Sequence, residues 1–295
     1  MKEDVPRTGS VRVGGIDYLN AMPLTYYLSS AAAGGPDIAV SNHSPSALAD
    51  HLRGGQLDAA LVPVVEYLAR PAYRVFPGIC ISSYGEVRSI RLYHRRPLRE
   101  AKLVAVDSSS RTSALLTKLL FAELWLGSPR YVETSPETSL ALVESGNGAA
   151  LADDAPDAAL LIGDAALAAK PGPGWDCSDL GTEWTRMTGL PFVYAFWVWR
   201  GGPCPNGLSG VFERARAMGT ARIDDIVAAV RLPGGMDAAP ARDYLRRVIQ
   251  YDLGQLQLEG LLLFFERLHA AGLGPEPRAP LPVEEEPSRD APQPT

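Results

Sequence analysis

A cluster of hydroxyl side chains opens a predicted helix in the stretch VDSSSRTSALL, residues 106–116. A strand end leads there into five Ser and Thr residues within six positions, with one arginine among them. Hydroxyls and free backbone N–H groups at the positive end of a helix dipole bind carboxylates and phosphates. Because one serine is enough to cap a helix, the surplus predicts an anion-binding site. Its candidate residues are Ser110, Arg111, Thr112 and Ser113, and the alternative is a helix cap with spare serines.

Two more stretches place polar residues where predicted strands end. In ISSYGEVRSIRL, residues 81–92, Ser83 stands shortly before a glycine, which suggests a turn that exposes a hydroxyl. A solvent-facing hairpin is the alternative there. In LIGDAAL, residues 161–167, Gly163 precedes Asp164 at a predicted helix start, where Asp is an ordinary N-cap. Both stretches are therefore candidate parts of a site.

An early turn adds two candidate residues, and a late aromatic strand adds one. The stretch GGIDYLNAMPL, residues 14–24, passes from an apolar strand into hydrogen-bonding side chains, among them Tyr18 and Asn20. Turns favour polar residues in general, so this is either an ordinary turn or the rim of a pocket. The stretch TGLPFVYAFWVW, residues 188–199, is typical of a core strand, with Tyr194 as a candidate for a binding wall. The residues leave a binding protein and an enzyme equally open.

Strand and helix patterns alternate along the chain in two similar units. The predicted strands are 11–16, 37–41 and 58–63 in the first unit, and 102–106, 130–134 and 157–163 in the second. The predicted helices between them are 22–30, 44–55, 112–126 and 137–145. The tetrapeptide DAAL occurs at the third strand of each unit. We therefore predict two α/β lobes, each with a mixed, largely parallel sheet flanked by helices.

The division of the chain into lobes follows from the order of these elements. Later predicted helices, at about 206–219, 222–231, 238–250 and 255–271, have no third sheet to cover and return to the first lobe. The predicted domains are lobe 1 at 10–93 plus 197–273, lobe 2 at 94–196, and a tail at 274–295. Two crossings between lobes form a hinge and a cleft, where ligands bind. The tail has seven prolines in 22 residues, which predicts disorder.

Composition argues against several functions. A net charge of -6 disfavours nucleic acid as a partner. The sequence has no apolar run near the roughly 20 residues of a membrane span, and its first residues lack the pattern of a signal peptide. The three cysteines have neither disulfide nor metal spacing, which predicts a cytoplasmic protein. The four histidines show no ligand spacing, so no metal is predicted.

Five stretches, in this order along the chain, resemble the chorismate dehydratase family of the futalosine route to menaquinone. They are GGIDYLNAMPL, ISSYGEVRSIRL, SSSRTSALLTKLL, LLIGDAAL and DLGTEWTRMTGLPFVYAFW. The resemblance runs from about Arg12 to Leu273. It implies the fold of the type II periplasmic solute-binding proteins, used by a cytoplasmic enzyme. It also implies removal of water from chorismate to give 3-[(1-carboxyvinyl)oxy]benzoate, without a cofactor.

The resemblance further implies roles for the candidate residues. Asn20 is expected to hydrogen-bond the departing hydroxyl or a neighbouring carboxylate of the substrate. The expected substrate-binding set is Tyr18, Ser83, Ser110, Arg111, Thr112, Ser113, Gly163 and Tyr194. Asp164 is either a helix cap or a candidate general base, and the enolpyruvyl carboxylate of the substrate is the other candidate base.

Other functions share parts of this pattern. A non-catalytic solute-binding protein for a small carboxylate has the same fold but requires export. A ligand-sensing domain of a regulator requires a DNA-binding helix pair ahead of the first lobe. The sister enzyme that makes 1,4-dihydroxy-6-naphthoate has a different N-terminal pattern, a Ser-Pro-Asn-type turn. The predicted partner is chorismate, with no nucleic acid and no membrane, and the sequence sets no oligomeric state.

Overall fold

The computed structural model of this protein describes residues 9–107, 111–145 and 155–287. Its strands are β1 Val11–Gly15, β2 Ile38–Asn42, β3 Ala59–Pro63, β4 Arg74–Ser83, β5 Ile90–His94, β6 Leu103–Asp107, β7 Arg130–Thr134, β8 Ala158–Ile162, β9 Asp176–Asp179, β10 Phe192–Trp199 and β11 Gln250–Asp252. Its helices are α1 Met22–Thr25, α2 Leu28–Ala31, α3 Pro45–Arg53, α4 Val64–Leu68, α5 Arg111–Leu120, α6 Pro136–Glu144, α7 Gly163–Ala168, α8 Leu180–Thr188, α9 Leu208–Ala221, α10 Ile223–Ala229, α11 Ala238–Asp243 and α12 Gln255–Ala270. A 3-10 turn covers Leu19–Ala21, and a π-helical segment covers Tyr244–Val248.

The described strands form one sheet in each of two lobes, which confirms the predicted α/β architecture. The first sheet has the order β11-β4-β10-β3-β1-β2, and the second has the order β7-β6-β8-β5-β9. Both are mixed, as predicted, but the parallel share is smaller than expected. Parallel pairs join β1 to β2 and β3, and β6 to β7 and β8, whereas β5, β10 and β11 run antiparallel to their neighbours. Strands β5 and β10 each follow a strand of the other sheet along the chain, so they enter their own sheet from its opposite end.

The crossings between the lobes fall a few residues earlier than the predicted boundaries. Strand β5 pairs with β8 and β9 in the second sheet, and β10 lies between β3 and β4 in the first. The predicted boundaries after residues 93 and 196 therefore cut through these two strands. Both strands are largely apolar, so their sequence fits the interior of either sheet and does not show which lobe they join.

The aromatic strand β10 forms the centre of the lobe 1 core, as its composition predicts. Every one of its residues is buried. Trp197 stacks on Phe212 of α9, with 4.4 Å between ring centroids. Phe192 meets Trp184 of α8 at 5.2 Å and Phe264 of α12 at 4.8 Å. Aromatic pairs at these separations stabilise a core beyond the area that they bury, and they hold α9 and α12 on the first lobe.

The described part of the tail, residues 274–287, is attached to lobe 1, so the predicted disorder is wrong for this part. The Tyr67 hydroxyl donates to the Ala279 carbonyl and accepts from the Leu281 N–H, both at 2.9 Å. The Arg278 guanidinium lies 3.7 Å from the centroid of the Tyr67 ring. The remaining tail residues, 288–295, lie outside the described residues.

An unpaired edge on β4 explains why this proline-rich segment is ordered. Strand β11 pairs with β4 only near Ile79 and Ser82, so the start of β4 keeps free backbone groups on that side. The tail pairs with these backbone groups. The Val75 N–H donates to the Leu281 carbonyl at 2.8 Å, and the Val75 carbonyl accepts from the Val283 N–H at 3.1 Å. Prolines reduce the entropy that such an extended segment loses on binding. Composition predicted the flexibility of the tail but not this long-range partner.

Removing residues 274–295 is expected to lower the Tm by about 5–10 °C. Each lost backbone hydrogen bond is worth roughly 1 kcal/mol, and each kcal/mol shifts the Tm of a protein of this size by about 2 °C. The deletion also removes Glu285, whose carboxylate caps α9 by accepting from the Gly207 and Ser209 N–H groups at 2.8 and 2.6 Å. Calorimetry measures the change. Truncation after residue 287 retains all these contacts and is the matched control, and an equal Tm for the two truncations would contradict the attachment.

Candidate functional site

A cavity of about 60 Å³ lies between the two lobes. Lobe 1 contributes the lining residues Ile16, Tyr18, Asn20, Pro45, Pro63, Ile81, Tyr194 and Ala195, and lobe 2 contributes Ile90, Thr112, Ser113, Ile162 and Gly163. Six of the sequence-predicted site residues are therefore brought together here, although they lie in four separate stretches of the chain. Their roles stay predictions.

Asn20 reaches the cavity on the 3-10 turn that follows β1. The turn is fixed across the cleft, because the Leu19 N–H donates to the Asp164 carboxylate at 2.9 Å. Asp164 belongs to α7 in lobe 2, so this hydrogen bond joins the two lobes next to Asn20. The amide of Asn20 can both donate and accept hydrogen bonds. It is the half-buried polar group that lobe 1 presents beside Tyr18.

Gly163 permits a close approach between the lobes at the same place. Its φ of +56° lies in the left-handed region, which favours glycine. A Cβ at this position would lie 2.7 Å from two ring carbons of Tyr18. Glycine is therefore required at this position both by the backbone turn that starts α7 and by the packing of the Tyr18 ring. The sequence motif alone could not show the contact with Tyr18.

Thr112 and Ser113 line the cavity from the first turn of α5, as predicted from the hydroxyl cluster. Both are almost fully buried, with 2% of each residue exposed. Among the described residues, the Thr112 hydroxyl has no hydrogen-bond partner. A buried hydroxyl at a helix N-terminus is well placed to bind an anion. Ser110, the third predicted hydroxyl, lies outside the described residues.

Arg111 does not bind in this cavity, contrary to the expectation from the sequence. Its guanidinium donates to the Glu66 carboxylate at 2.9 Å and to Asp50 at 3.2 Å, both in lobe 1. Glu66 is 3% exposed and also pairs with Arg53. A buried carboxylate requires cationic partners, so Glu66 fixes the direction of Arg111. The ion pair between Arg111 and Glu66 joins the two lobes on the side of α5 away from the first cavity. It lies at a second cavity, which Lys118 also lines.

Ser83 supports the cavity wall instead of forming it. Its hydroxyl lies 2.9 Å from the hydroxyl of Tyr194, and the Tyr194 ring lines the cavity in front of it. Ser83 has no exposed surface, because the start of α8 packs closely at Gly181. The predicted contact of Ser83 with a substrate carboxylate is therefore replaced by a contact with Tyr194.

Asp164 faces the Leu19 amide, and this makes it a support for the turn that holds Asn20. The pKa of its carboxyl is raised to about 6: burial is the main cause, the hydrogen bond from Leu19 opposes it, and the nearby Asp17 adds a smaller rise. Among the described lining residues of the cavity there is no His, Lys, Asp or Glu. The predicted role of Asp164 as the cap of its own helix is wrong, because the N-cap of α7 is Ile162 and α7 has no side-chain cap hydrogen bond. Its role as a general base stays a prediction.

The apolar wall of the cavity was missed in the sequence. It consists of Ile16, Ile81, Ile90 and Ile162, which lie at or near strand ends on both sides of the cleft. Apolar side chains in strand patterns ordinarily pack in a core, so the pattern alone gave no reason to single out these four residues. Their position at the strand ends was the signal for a site, because ligands of such sheets bind there.

The described residues offer no ready metal site and no candidate membrane span. Within them, no group of three or more His, Cys, Asp and Glu residues could hold a metal ion. Over the same residues, no helix is both long and apolar enough to span a bilayer. The cysteines are free, with Cys80 and Cys204 buried and Cys177 exposed.

Two similar lobes, two crossings and a cavity between them define the class of proteins with the periplasmic-binding-protein fold. One similar solved structure is a protein of Archaeoglobus fulgidus, with a TM-score of 0.68, 17% identity and coverage of 90% of this chain and 98% of that one. Another is the periplasmic aliphatic sulphonate binding protein of Escherichia coli, with a TM-score of 0.59, 15% identity and coverage of 92% and 95%. At such identities the likeness shows the fold alone.

The particular family follows from the sequence comparisons. A family model described as menaquinone biosynthesis matches residues 11–270, and the chain therefore belongs to this menaquinone biosynthesis family. A chorismate dehydratase of Thermus thermophilus is 28% identical over 269 residues, which are 85% of this chain and 92% of that protein. The resemblance to the chorismate dehydratase family is thereby confirmed.

Proposed function

We propose that this chain is a chorismate dehydratase, which converts chorismate into 3-[(1-carboxyvinyl)oxy]benzoate and water. The observation that carries the proposal is the convergence of Asn20 from lobe 1 with Thr112 and Ser113 from lobe 2 in one cavity. Its sequence support is membership of the menaquinone biosynthesis family and similarity to a chorismate dehydratase of Thermus thermophilus.

The lining of the cavity suits a small ring that carries a carboxylate. The hydroxyls of Thr112 and Ser113 and the first turn of α5 attract one carboxylate, because the helix dipole is positive there. The isoleucine wall and the Tyr18 ring enclose the cyclohexadiene on its faces. This combination of apolar walls with a few convergent polar groups is typical of ligand sites.

The proposed reaction needs one proton acceptor and one leaving hydroxyl. The C–H bond at the ether-bearing ring carbon breaks, its electron pair forms the new double bond, and the neighbouring C–O bond breaks to release hydroxide. Asn20 donates a hydrogen bond to the departing oxygen, and the proton removed from carbon ends in water by way of its acceptor. Formation of the aromatic ring drives the step, so the chain is required mainly to position the substrate.

The acceptor in our proposal is the enolpyruvyl carboxylate of the substrate itself. The cavity lining supports this choice, because its described residues include no basic side chain. Asp164 is engaged by the Leu19 amide. A substrate carboxylate requires only that the cavity hold the ring and its side chain in one conformation.

Replacing Asp164 by asparagine is expected to leave most of the chorismate turnover intact while changing the pH dependence of stability. Because the pKa of Asp164 is about 6 in the folded protein, above its ordinary value, the folded state binds the proton more tightly. Stability therefore falls as pH rises through the window from about 4 to 6. Asparagine keeps an acceptor for the Leu19 amide and has no proton to lose. Its Tm should exceed that of the wild type by about 2–4 °C near pH 8.

Thermal unfolding between about pH 4 and pH 8, with turnover at each pH, checks this expectation. The difference in Tm should shrink toward the acidic end, because the carboxyl of the unfolded wild type begins to bind a proton there as well. Loss of turnover in the asparagine variant, with folding and chorismate binding unchanged, would identify Asp164 as the base and contradict the proposed acceptor.

We further propose that the enzyme serves the futalosine route to menaquinone and works in the cytoplasm. The family description supports the first part at the level of menaquinone biosynthesis. Three cysteines without a disulfide support a reducing compartment. Fractionation of the native cells, followed by antibody detection, tests the location, and recovery in a periplasmic or secreted fraction would contradict it.

Mass spectrometry of chorismate incubated with the purified protein and a metal chelator tests the activity. Conversion into a product that has lost one water supports the proposal. Tight binding of chorismate without conversion would instead indicate a solute-binding protein, and neither binding nor conversion would overturn the assignment.

A further inference from the structure

The first turn of α5 contacts both the cavity and the opposite lobe. Thr112 and Ser113 line the cavity. Arg111, the residue before them, donates instead to the carboxylates of Glu66 and Asp50 in lobe 1. Successive residues of an α-helix point about 100° apart, so Arg111 and Ser113 lie on nearly opposite sides of α5. The turn that carries the two cavity hydroxyls is therefore attached to lobe 1 by the residue beside them.

Lobe 1 holds Glu66 in place without help from lobe 2. Glu66 belongs to α4, every residue of which is buried, and its side chain is 3% exposed. The Arg53 guanidinium, at the end of α3, donates to both oxygens of the Glu66 carboxylate at 3.1 to 3.3 Å. Because a buried carboxylate stays where such partners hold it, Glu66 is a fixed acceptor for Arg111.

The charges of this group balance only when the lobes are together. Lobe 1 contributes the carboxylates of Asp50 and Glu66, and the guanidinium of Arg53 pairs with both. Arg111 of lobe 2 supplies the second positive charge, at 2.9 Å from Glu66 and 3.2 Å from Asp50. Separation of the lobes would leave two carboxylates with a single guanidinium. The ion pair of Arg111 with Glu66 thus favours the closed arrangement.

The described arrangement of the lobes is a closed one. The cavity between them measures about 60 Å³, whereas sites for small organic ligands measure about 300–1,000 Å³. The lobes therefore have to move apart to admit a substrate ring and then close around it. Contacts that join the lobes beside the cavity set how strongly closure is favoured.

We propose that Glu66 is a positioning residue, which acts through Arg111 to hold the lobes closed and the first turn of α5 at the cavity. Glu66 lines the second cavity and not the first, so it acts without touching the substrate. In the closed form the hydroxyls of Thr112 and Ser113 share the cavity with Asn20. Loss of the ion pair makes this form rarer, and the apparent affinity for substrate falls by the same factor.

The first test is Arg111→Gln, which removes the guanidinium of lobe 2 and leaves Glu66 paired with Arg53. We expect KM for chorismate to rise about five-fold and kcat to stay within about two-fold of the wild type. At saturation, the contacts of the substrate itself keep the lobes closed. Arg111→Lys keeps the charge, so its KM should lie between those of Arg111→Gln and the wild type. A mere loss of folded protein would lower kcat and leave KM unchanged.

Glu66→Gln distinguishes the ion pair from a direct contact between Arg111 and the substrate. If the pair acts as proposed, Glu66→Gln also raises KM, and the double variant exceeds Arg111→Gln by less than about two-fold. If Arg111 binds a substrate carboxylate instead, KM in Glu66→Gln stays at the wild-type value. That result, or full additivity of the two changes, would overturn the inference.

The matched control is Arg12→Gln, which breaks an ion pair within lobe 1. Arg12 pairs with Asp58 at 2.6 Å. The two residues lie at or just before the starts of β1 and β3, whereas Ile16 and Pro63 at the other ends of these strands line the cavity. Arg12→Gln should therefore lower the Tm and keep both KM and kcat within about two-fold.

Small-angle X-ray scattering of the ligand-free proteins measures closure without turnover. Arg111→Gln and Glu66→Gln should have a larger radius of gyration than the wild type, whereas Arg12→Gln should not. Equal radii for the wild type and all three variants contradict the inference, and so does an unchanged KM in Arg111→Gln.

These outcomes are distinct from a failure of the proposed function, on which the inference rests. Wild-type protein that does not convert chorismate overturns the function. The scattering experiment then still decides whether the ion pair of Glu66 with Arg111 holds the lobes together, because it requires no substrate.

Discussion

Replacing Asn20 by alanine is expected to lower kcat for chorismate by at least ten-fold, which corresponds to about 1.4 kcal/mol of lost transition-state stabilisation. Asn20 is the amide that the lobe 1 turn presents to the cavity, opposite the hydroxyls of lobe 2. A hydrogen bond to the departing oxygen strengthens as negative charge develops on it, so its loss affects the transition state more than the bound substrate. KM should therefore change less than kcat.

Steady-state kinetics with purified variants measures this effect. Asn42→Ala is the control, because Asn42 is an exposed asparagine at the end of β2 that pairs with Asp17 at the rim. It should keep kcat within about two-fold of the wild type. If Asn20→Ala folds and retains wild-type kcat, then the proposed role of the amide is wrong.

Replacing Gly163 by alanine is expected to lower kcat/KM for chorismate by at least about ten-fold. An alanine with a φ of +56° costs roughly 1–2 kcal/mol, and its Cβ would lie 2.7 Å from the Tyr18 ring. The ring or the whole lobe must then move, which widens the cavity beside Asn20. The packing of the two lobes at this contact is thus directly coupled to the site.

Gly174→Ala separates the steric contact from the backbone strain. Gly174 is also in lobe 2 with a positive φ, of 85°, but a Cβ there meets nothing within 4 Å. Gly174→Ala should lower the Tm nearly as much as Gly163→Ala does, because both place an alanine at a positive φ. It should keep kcat/KM within about two-fold of the wild type. Equal kcat/KM losses for the two glycine variants would show that the Tyr18 contact is irrelevant to activity.

The sequence predicted which residues stand at strand ends, but not always where their side chains point. Thr112 and Ser113 face the cavity as expected, whereas their neighbour Arg111 turns to the buried carboxylate of Glu66. Glu66 belongs to no motif, and its ion pair with Arg111 forms only when the two lobes come together. Ser83 turns to Tyr194 for a similar reason, since its partner is 111 positions away in the sequence.

The fold was predicted where local pattern decides the structure. Alternating strand and helix signals and the repeated DAAL located the two lobes, because hydrophobic period and turn residues act over short stretches. The domain boundaries and the tail depended on long-range pairing instead. Strand β5 joins β8 and β9, and the tail pairs with Val75.

Proton NMR of chorismate, recorded before and after addition of the purified protein without metals or nucleotides, tests the central claim most directly. The claim predicts that the signals of the cyclohexadiene ring are replaced by those of a substituted benzoate, while the two vinyl protons of the enolpyruvyl group remain. Asn20→Ala should slow this change at least ten-fold. Chorismate signals that persist unchanged with folded wild-type protein would contradict the account, as would aromatic signals that appear with loss of the vinyl protons.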